Sequence, residues 1–344
     1  MGNNNIKKNI QEKELKSKDI QLIHTFVKDS YSHLWLNDTF IAFKSINNIY
    51  LLIYATNDNS IISYDIIHNK KINELKIEYK AYTTSFRYYF DHFNNRDLFL
   101  SIISFKNLIK IWDANNFEWL LTIKNINDDG SLYSACFLEE YNNIYIITSN
   151  NSYSNSESIK ILDFKGNKIN EINDSNEKTF YIDTYYDKKI SKTFIIACTE
   201  YYSKSYDYNS NEIYHKYSEN DNNMPCHIIF NEKEEIVEMV ESSFDGNIRI
   251  WNFHSGILLK KIKASNNALR EICILDNEYL FVGCNIGAIK IVYYNNGNII
   301  QEKRGHSEKV ISLKKIFIPK YGNCLLSQGA KKDSIKLWLI KDQN

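Results

Sequence analysis

Several kinds of chemistry are excluded by what this 344-residue chain lacks. It has no surplus of charge of either sign: 42 basic and 42 acidic residues cancel, so nothing global draws it to nucleic acid or an anionic membrane, and only a local patch could do so. No apolar stretch reaches the roughly 18 residues needed to span a bilayer, and the start lacks the apolar core of a secretory signal. The expected location is therefore cytoplasmic, with a nuclear one also open. Six cysteines, Cys136, Cys198, Cys226, Cys273, Cys284 and Cys324, show no CxxC or other metal-ligand spacing, which fits reduced core thiols rather than ligands or disulfides.

Catalytic patterns are missing as well. The eight histidines include no HExxH or His-x-His pair, so no metal is expected. Gly283, Gly287 and Gly297 do not form a phosphate cradle, because they lie between strand-like segments and no helix follows. His306, Ser307 and Glu308 stand too close together in one turn to act as a proton-transfer set. With no nucleophile, metal or cofactor motif, the expectation is a chain that is not an enzyme and carries no cofactor.

What is present is a repeat. Gly305 to Leu339 reads as strand, turn, strand, turn and strand: Val310–Ile316 and Cys324–Ser327 are apolar runs, Pro319 to Asn323 is turn chemistry, and Ser334–Trp338 alternates with period two. The last of these strands recurs. Copies end at 65, 113, 163, 207, 252, 293 and 339, with spacings of 48, 50, 44, 45, 41 and 46 residues. This is close to the roughly 40–45-residue period of propeller blades. The IKIW-like strand ends, the Trp112-Asp113 dipeptide and Gly305-His306 resemble the WD-repeat family of β-propellers, over about residues 20 to 340.

The resemblance implies an all-β, seven-bladed propeller of four-stranded antiparallel blades forming one domain over 20–344. Ile20 to Phe26 matches the outer strand that follows each third strand elsewhere, yet it comes first, while Trp338 has no strand after it. The N-terminal strand is therefore expected to complete the C-terminal blade, which removes open edges. Residues 1–19, polar and rich in Asn and Lys, read as a mobile tail. Gly2 invites a lipidation reading, although Ile6 stands where that motif wants Ser or Thr. Arg87 to Arg96 reads as an unusual connection in the second blade.

In the family, a His, a strand Ser or Thr, the strand Trp and a turn Asp bond together and stiffen a blade. Trp112, Asp113, Trp251, His306 and Trp338 are the expected structural residues of the repeat. The turn acid is matched by Asp58 and Asp245, with Glu200 in the same slot, whereas Lys106, Ser156, Ile286 and Lys332 replace it elsewhere. The expectation is that no blade holds the whole set. Asp65, Asp113, Asp163 and Asp207 recur once per blade, as turn-formers do.

Function would then reside in loops on a rigid scaffold. The residues expected to bind protein partners or peptides are Asn57, Asp58, Phe105, Lys106, Tyr201, Tyr202, Phe244, Asp245, Arg270 and Lys332. An alternative, a subunit of an RNA-processing or ribosome-assembly complex, would use a stripe formed by Lys204, Arg249, Lys260, Lys261, Lys263 and Arg270.

Overall fold

The computed structural model describes residues 17–27, 38–56, 60–77, 83–103, 106–124, 130–140, 142–152, 158–173, 178–219, 225–233, 235–276, 278–331 and 333–343. Gly2, Asn57, Asp58, Phe105 and Lys332 lie outside them. The described residues form strands, turns and bends with no α-helix, and none is long and apolar enough as a helix to cross a membrane.

Twenty-eight strands build seven four-stranded antiparallel sheets, the blades of a β-propeller. The inner strands are Phe40–Lys44, Thr83–Asp91, Gly130–Glu140, Thr179–Asp187, Pro225–Glu232, Leu269–Ile274 and Val310–Ile318. Each contacts the inner strands of the blades on either side, and the first contacts the last, so they form a closed ring.

Burial follows radial position. The second strand of blade 1, Tyr50–Ala55 (YLLIYA), is buried throughout, because neighbouring blades cover both of its faces. The outer strand Lys70–Lys76 (KKINELK) is exposed along most of its length and accordingly mixes charge with apolar residues. The core is divided between the blades. Phe43 and Leu51 of blade 1 pack with Phe86, Phe99 and Trp112 of blade 2, and Phe40 and Leu52 of blade 1 pack with Ile316 and Leu326 of blade 7.

Closure occurs as expected. Ser17–Val27 pairs antiparallel with Ile335–Gln343 as the outer strand of blade 7, with Leu22 opposite Trp338. Buried Ile20 packs beside Trp338 against Tyr279 and Phe281 of blade 6. Its backbone N–H donates to Gln301 Oε1 at 3.2 Å, and Gln301 also bonds Asp19. The tail boundary expected at Asp19 is corrected here: Ser17, Lys18 and Asp19 belong to the strand, opposite Gln343, Asp342 and Lys341.

The third strands of blades 1 to 6 end at Asp65, Asp113, Asp163, Asp207, Asn252 and Tyr293, while that of blade 7 runs on to Gln343. The acid at this point caps the following turn. Asp113 accepts from the Asn115 N–H at 2.8 Å, Asp163 from Lys165 at 2.8 Å and Asp207 from Asn209 at 2.9 Å; Asn252 takes the same place toward His254 at 3.1 Å.

The expected connection from Arg87 to Arg96 is also corrected. Arg87 to Asp91 continues the inner strand, and only His92 to Asn95 turn. Aromatic residues at Tyr88, Tyr89 and Phe90 favour an extended half-buried strand over a loop. In six blades the pairing of inner and second strands carries an irregularity near its start, immediately before Ser85, Ala135, Tyr181, His227, Glu271 and Ser312. Bulges of this kind re-aim the side chains that follow them.

Candidate functional site around the propeller axis

Blade 7 brings together all four residue types of the buttress, contrary to the expectation that no blade holds the whole set. His306 Nε2 lies 2.7 Å from Ser327 Oγ, to which the Trp338 indole N–H donates at 2.7 Å. The acid is Asp333. Its Oδ2 lies 3.4 Å from His306 Nδ1 and accepts from the Ser307 N–H at 2.9 Å, while Oδ1 accepts from the Ser334 N–H at 2.6 Å.

Counting slots at constant turn length places Lys332 where the acid is expected. The turn is one residue longer here, since Gln328 pairs with Ile335 where blade 5 pairs Ser242 with Ile248, and Lys331 adopts φ 59°. Two glycines permit the arrangement. A Cβ at Gly305 would collide with the Trp338 ring, and one at Gly329 with the Asp333 carboxylate. Burial would raise the Asp333 pKa, but His306 and the backbone N–H groups outweigh it and hold the carboxyl well below its usual range.

The loop residues expected to bind partners divide into two groups. Lys106 is exposed. Tyr201 is 39% exposed at a tight turn where Thr199 Oγ1 donates to the Tyr202 carbonyl at 2.8 Å. Tyr202 sits beneath Lys216, whose Nζ is 3.4 Å from the ring centre. In the next blade Phe244 lies 4.1 Å beneath the Arg270 guanidinium, whose Nε donates to Asn285. Asp245 is held by Arg249 and Asn247.

Arg270 is buried, as are Arg249 and Lys204 of the expected basic stripe. Arg249 bonds Glu219 and Asp245, Lys261 bonds Glu219, Lys260 donates to the carbonyls of Tyr294 and Asn295, and Lys263 donates to that of Asp245. The stripe is thus engaged within the chain and does not present free cations.

A second assembly lies where the inner strands converge. A cavity of about 470 Å³ is lined by residues that include Arg87, Tyr181, Asp183, His227, Cys273 and Lys314, drawn from blades 2, 4, 5, 6 and 7. Arg87 pairs with Asp38 of blade 1, donates to the Ile182 carbonyl at 3.2 Å and lies over the Tyr181 ring at 4.7 Å. The Tyr181 hydroxyl donates to Asp183 at 2.8 Å.

Lys314 pairs with Asp38, and its ammonium is 3.7 Å from Glu271 Oε1, which is itself 3.2 Å from His227 Nε2. Neither Glu271 oxygen nor His227 Nδ1 makes a hydrogen bond, although both side chains are buried. Burial pushes the Glu271 carboxyl up to about 7, partly opposed by the Lys314 and Arg87 charges. Burial, then the charges of Lys314 and Arg87, drives His227 well below its usual value and keeps the ring neutral. Burial likewise raises the Cys273 thiol to about 11, so it is not a thiolate nucleophile.

Asp38, Glu271 and Lys314 do not stand out in the sequence, Arg87 reads there only as the start of a connection, and His227 counts only as an isolated histidine. The readable signal was polar residues at one strand position, with Ser85, Tyr181, His227, Glu271 and Ser312 each following the irregular pairing. Chemically the assembly can hold charge and cross-link blades. No family model matches the chain, and no curated protein does.

Proposed function

We propose a non-catalytic, cytoplasmic scaffold of the WD-repeat type that holds partner proteins, or peptides from them, on the loop face of blades 4 to 6. The WD-repeat reading is supported by the seven periodic third strands, by Gly305-His306 and by the His306–Ser327–Trp338–Asp333 set of blade 7.

The observation that carries the binding reading is the aromatic group on adjacent turns: exposed Tyr201 with Tyr202 in blade 4, and Phe244 under Arg270 between blades 5 and 6. Tyr and Phe are residue types that anchor interfaces, and short turns between packed strands present them with little entropy to lose. The experiment is affinity purification with mass spectrometry, using the wild-type chain and a Tyr201→Ala, Tyr202→Ala, Phe244→Ala chain of the same melting temperature. The expected result is loss of the wild-type partners from the triple variant. An unchanged partner set would overturn this placement of the binding face.

A further inference from the structure

The blades converge on three side chains whose donor atoms suit a cation. The ligand atoms of Asp38, His227 and Glu271, from blades 1, 5 and 6, all lie within 4.8 Å of one another, and all three residues are buried. Zinc binds nitrogen and carboxylate oxygen at roughly 2.0–2.2 Å, so atoms gathered this closely need only local side-chain adjustment to share one ion.

Two independent features point to a ligand here. Both Glu271 oxygens are buried without a well-formed hydrogen bond, the nearest groups being His227 Nε2 at 3.2 Å and Lys314 Nζ at 3.7 Å from Oε1, an arrangement that is costly unless something charged completes it. In addition, a cation of the chain's own already stands at the place. The Lys314 ammonium pairs with Asp38 and approaches Glu271 at 3.7 Å. It satisfies one carboxylate well and the other poorly. With its side chain 28% exposed, Lys314 can withdraw its ammonium toward solvent.

We infer that Asp38, His227 and Glu271 form a binding site for a divalent transition-metal cation of the zinc class, with the Lys314 ammonium as a built-in competitor. One imidazole with two carboxylates favours such an ion over magnesium or calcium, which prefer all-oxygen shells. Arg87 stays on Asp38 as the outer partner that orients its carboxylate. A bound ion would tie blades 1, 5 and 6 together across the axis, bracing the ring at its centre.

The test is zinc titration of the full chain at pH 7 by competition with a chromophoric chelator, on wild type and on Lys314→Met, His227→Gln and Glu271→Gln. One zinc per chain is expected. Lys314→Met should bind about tenfold more tightly than wild type, and the two ligand variants about tenfold or more weakly. Zinc should raise the melting temperature of wild type and of Lys314→Met. Cobalt(II) bound to Lys314→Met should show the visible absorption of a nitrogen- and oxygen-ligated site, a readout that does not depend on the ligand variants folding. Absence of saturable zinc binding in both wild type and Lys314→Met would overturn the site. Unchanged affinity in a folded His227→Gln or Glu271→Gln chain, or lack of that cobalt spectrum, would do the same.

Discussion

Blades 5 and 7 share strand order and both place a Trp on the third strand, yet they are stiffened in different ways. In blade 7 Ser327, opposite Lys336, accepts from the Trp338 indole N–H and shares a hydrogen bond with the His306 ring. Blade 2 keeps half of this relay, with Trp112 donating to Ser101 at 3.0 Å opposite Lys110. In blade 5 the same register holds Glu241 opposite Arg249. Glu241 accepts from Ser203 of blade 4 at 2.7 Å, Arg249 bonds Glu219 and Asp245, and the Trp251 indole N–H has no partner.

The turn acid is therefore present in both blades but serves different ends: Asp333 braces His306, whereas Asp245 neutralises a buried arginine. A neutral relay adds roughly 1 kcal/mol per hydrogen bond. A buried charge network stabilises little on balance, because desolvation offsets the attraction. Its effect is to tie blade 5 to blade 4.

The largest expected effect tests how far blade 7 depends on its borrowed strand. Removing residues 1–27 should abolish cooperative unfolding and produce aggregation, because Trp338 and the third-strand edge lose their cover; removing 1–16 should leave the melting curve nearly unchanged. Equal behaviour of the two chains would mean that this pairing does not support the ring.

Next in size, Trp338→Ala should cost about 3–5 kcal/mol in urea unfolding, as expected for a buried Trp. A cost below about 1 kcal/mol would place the residue outside the core.

The two blades should also have opposite pH dependence. Asp333 has a depressed pKa when folded, so its contribution is present above its ordinary 3.8 and fades as pH falls below that. Asp333→Asn should cost about 1–3 kcal/mol at pH 7 and progressively less below pH 4. Burial instead raises Glu241 to about 7 from 4.5, despite the Ser203 hydrogen bond and the Arg249 charge. Its contribution is complete below 4.5 and is lost as pH rises through 7, with Arg249, Asp245 and Glu219 as the facing charges. Glu241→Gln should therefore flatten the stability profile between pH 5 and 8 by about 1–2 kcal/mol. Parallel profiles for the two variants would dissolve the contrast.

The smallest effect isolates the indole bond. Trp338→Phe should cost about 1 kcal/mol more than Trp251→Phe, because only the first breaks a hydrogen bond and leaves Ser327 short of a partner.

Much of the fold was legible because it is written as a period. The IKIW-like strands end where a turn must be capped, and Asp or Asn at that point recurs for a local reason, acting within two to three residues. Strand closure was legible from bookkeeping: one outer strand stood ahead of its blade and one third strand lacked a successor. The Asp333 relay was not readable by counting, since a turn one residue longer moves the acid out of its slot while a positive φ at Lys331 returns it to His306. Arg87 differs, because the strand signal of Tyr88, Tyr89 and Phe90 is followed by the turn residues His92 to Asn95, and reading the whole run as one connection merges the two.

By itself the sequence determined the number of blades, the order of strands and the identity of the closing strand, because each rests on short-range alternation and turn chemistry. Only the tertiary structure decided which charges meet. Asp38, Arg87, His227, Glu271 and Lys314 come from five different blades, and no local pattern links them. Ring closure brings the inner strands to a common axis, and that convergence, together with burial that strengthens each uncompensated charge, turns five scattered residues into one site.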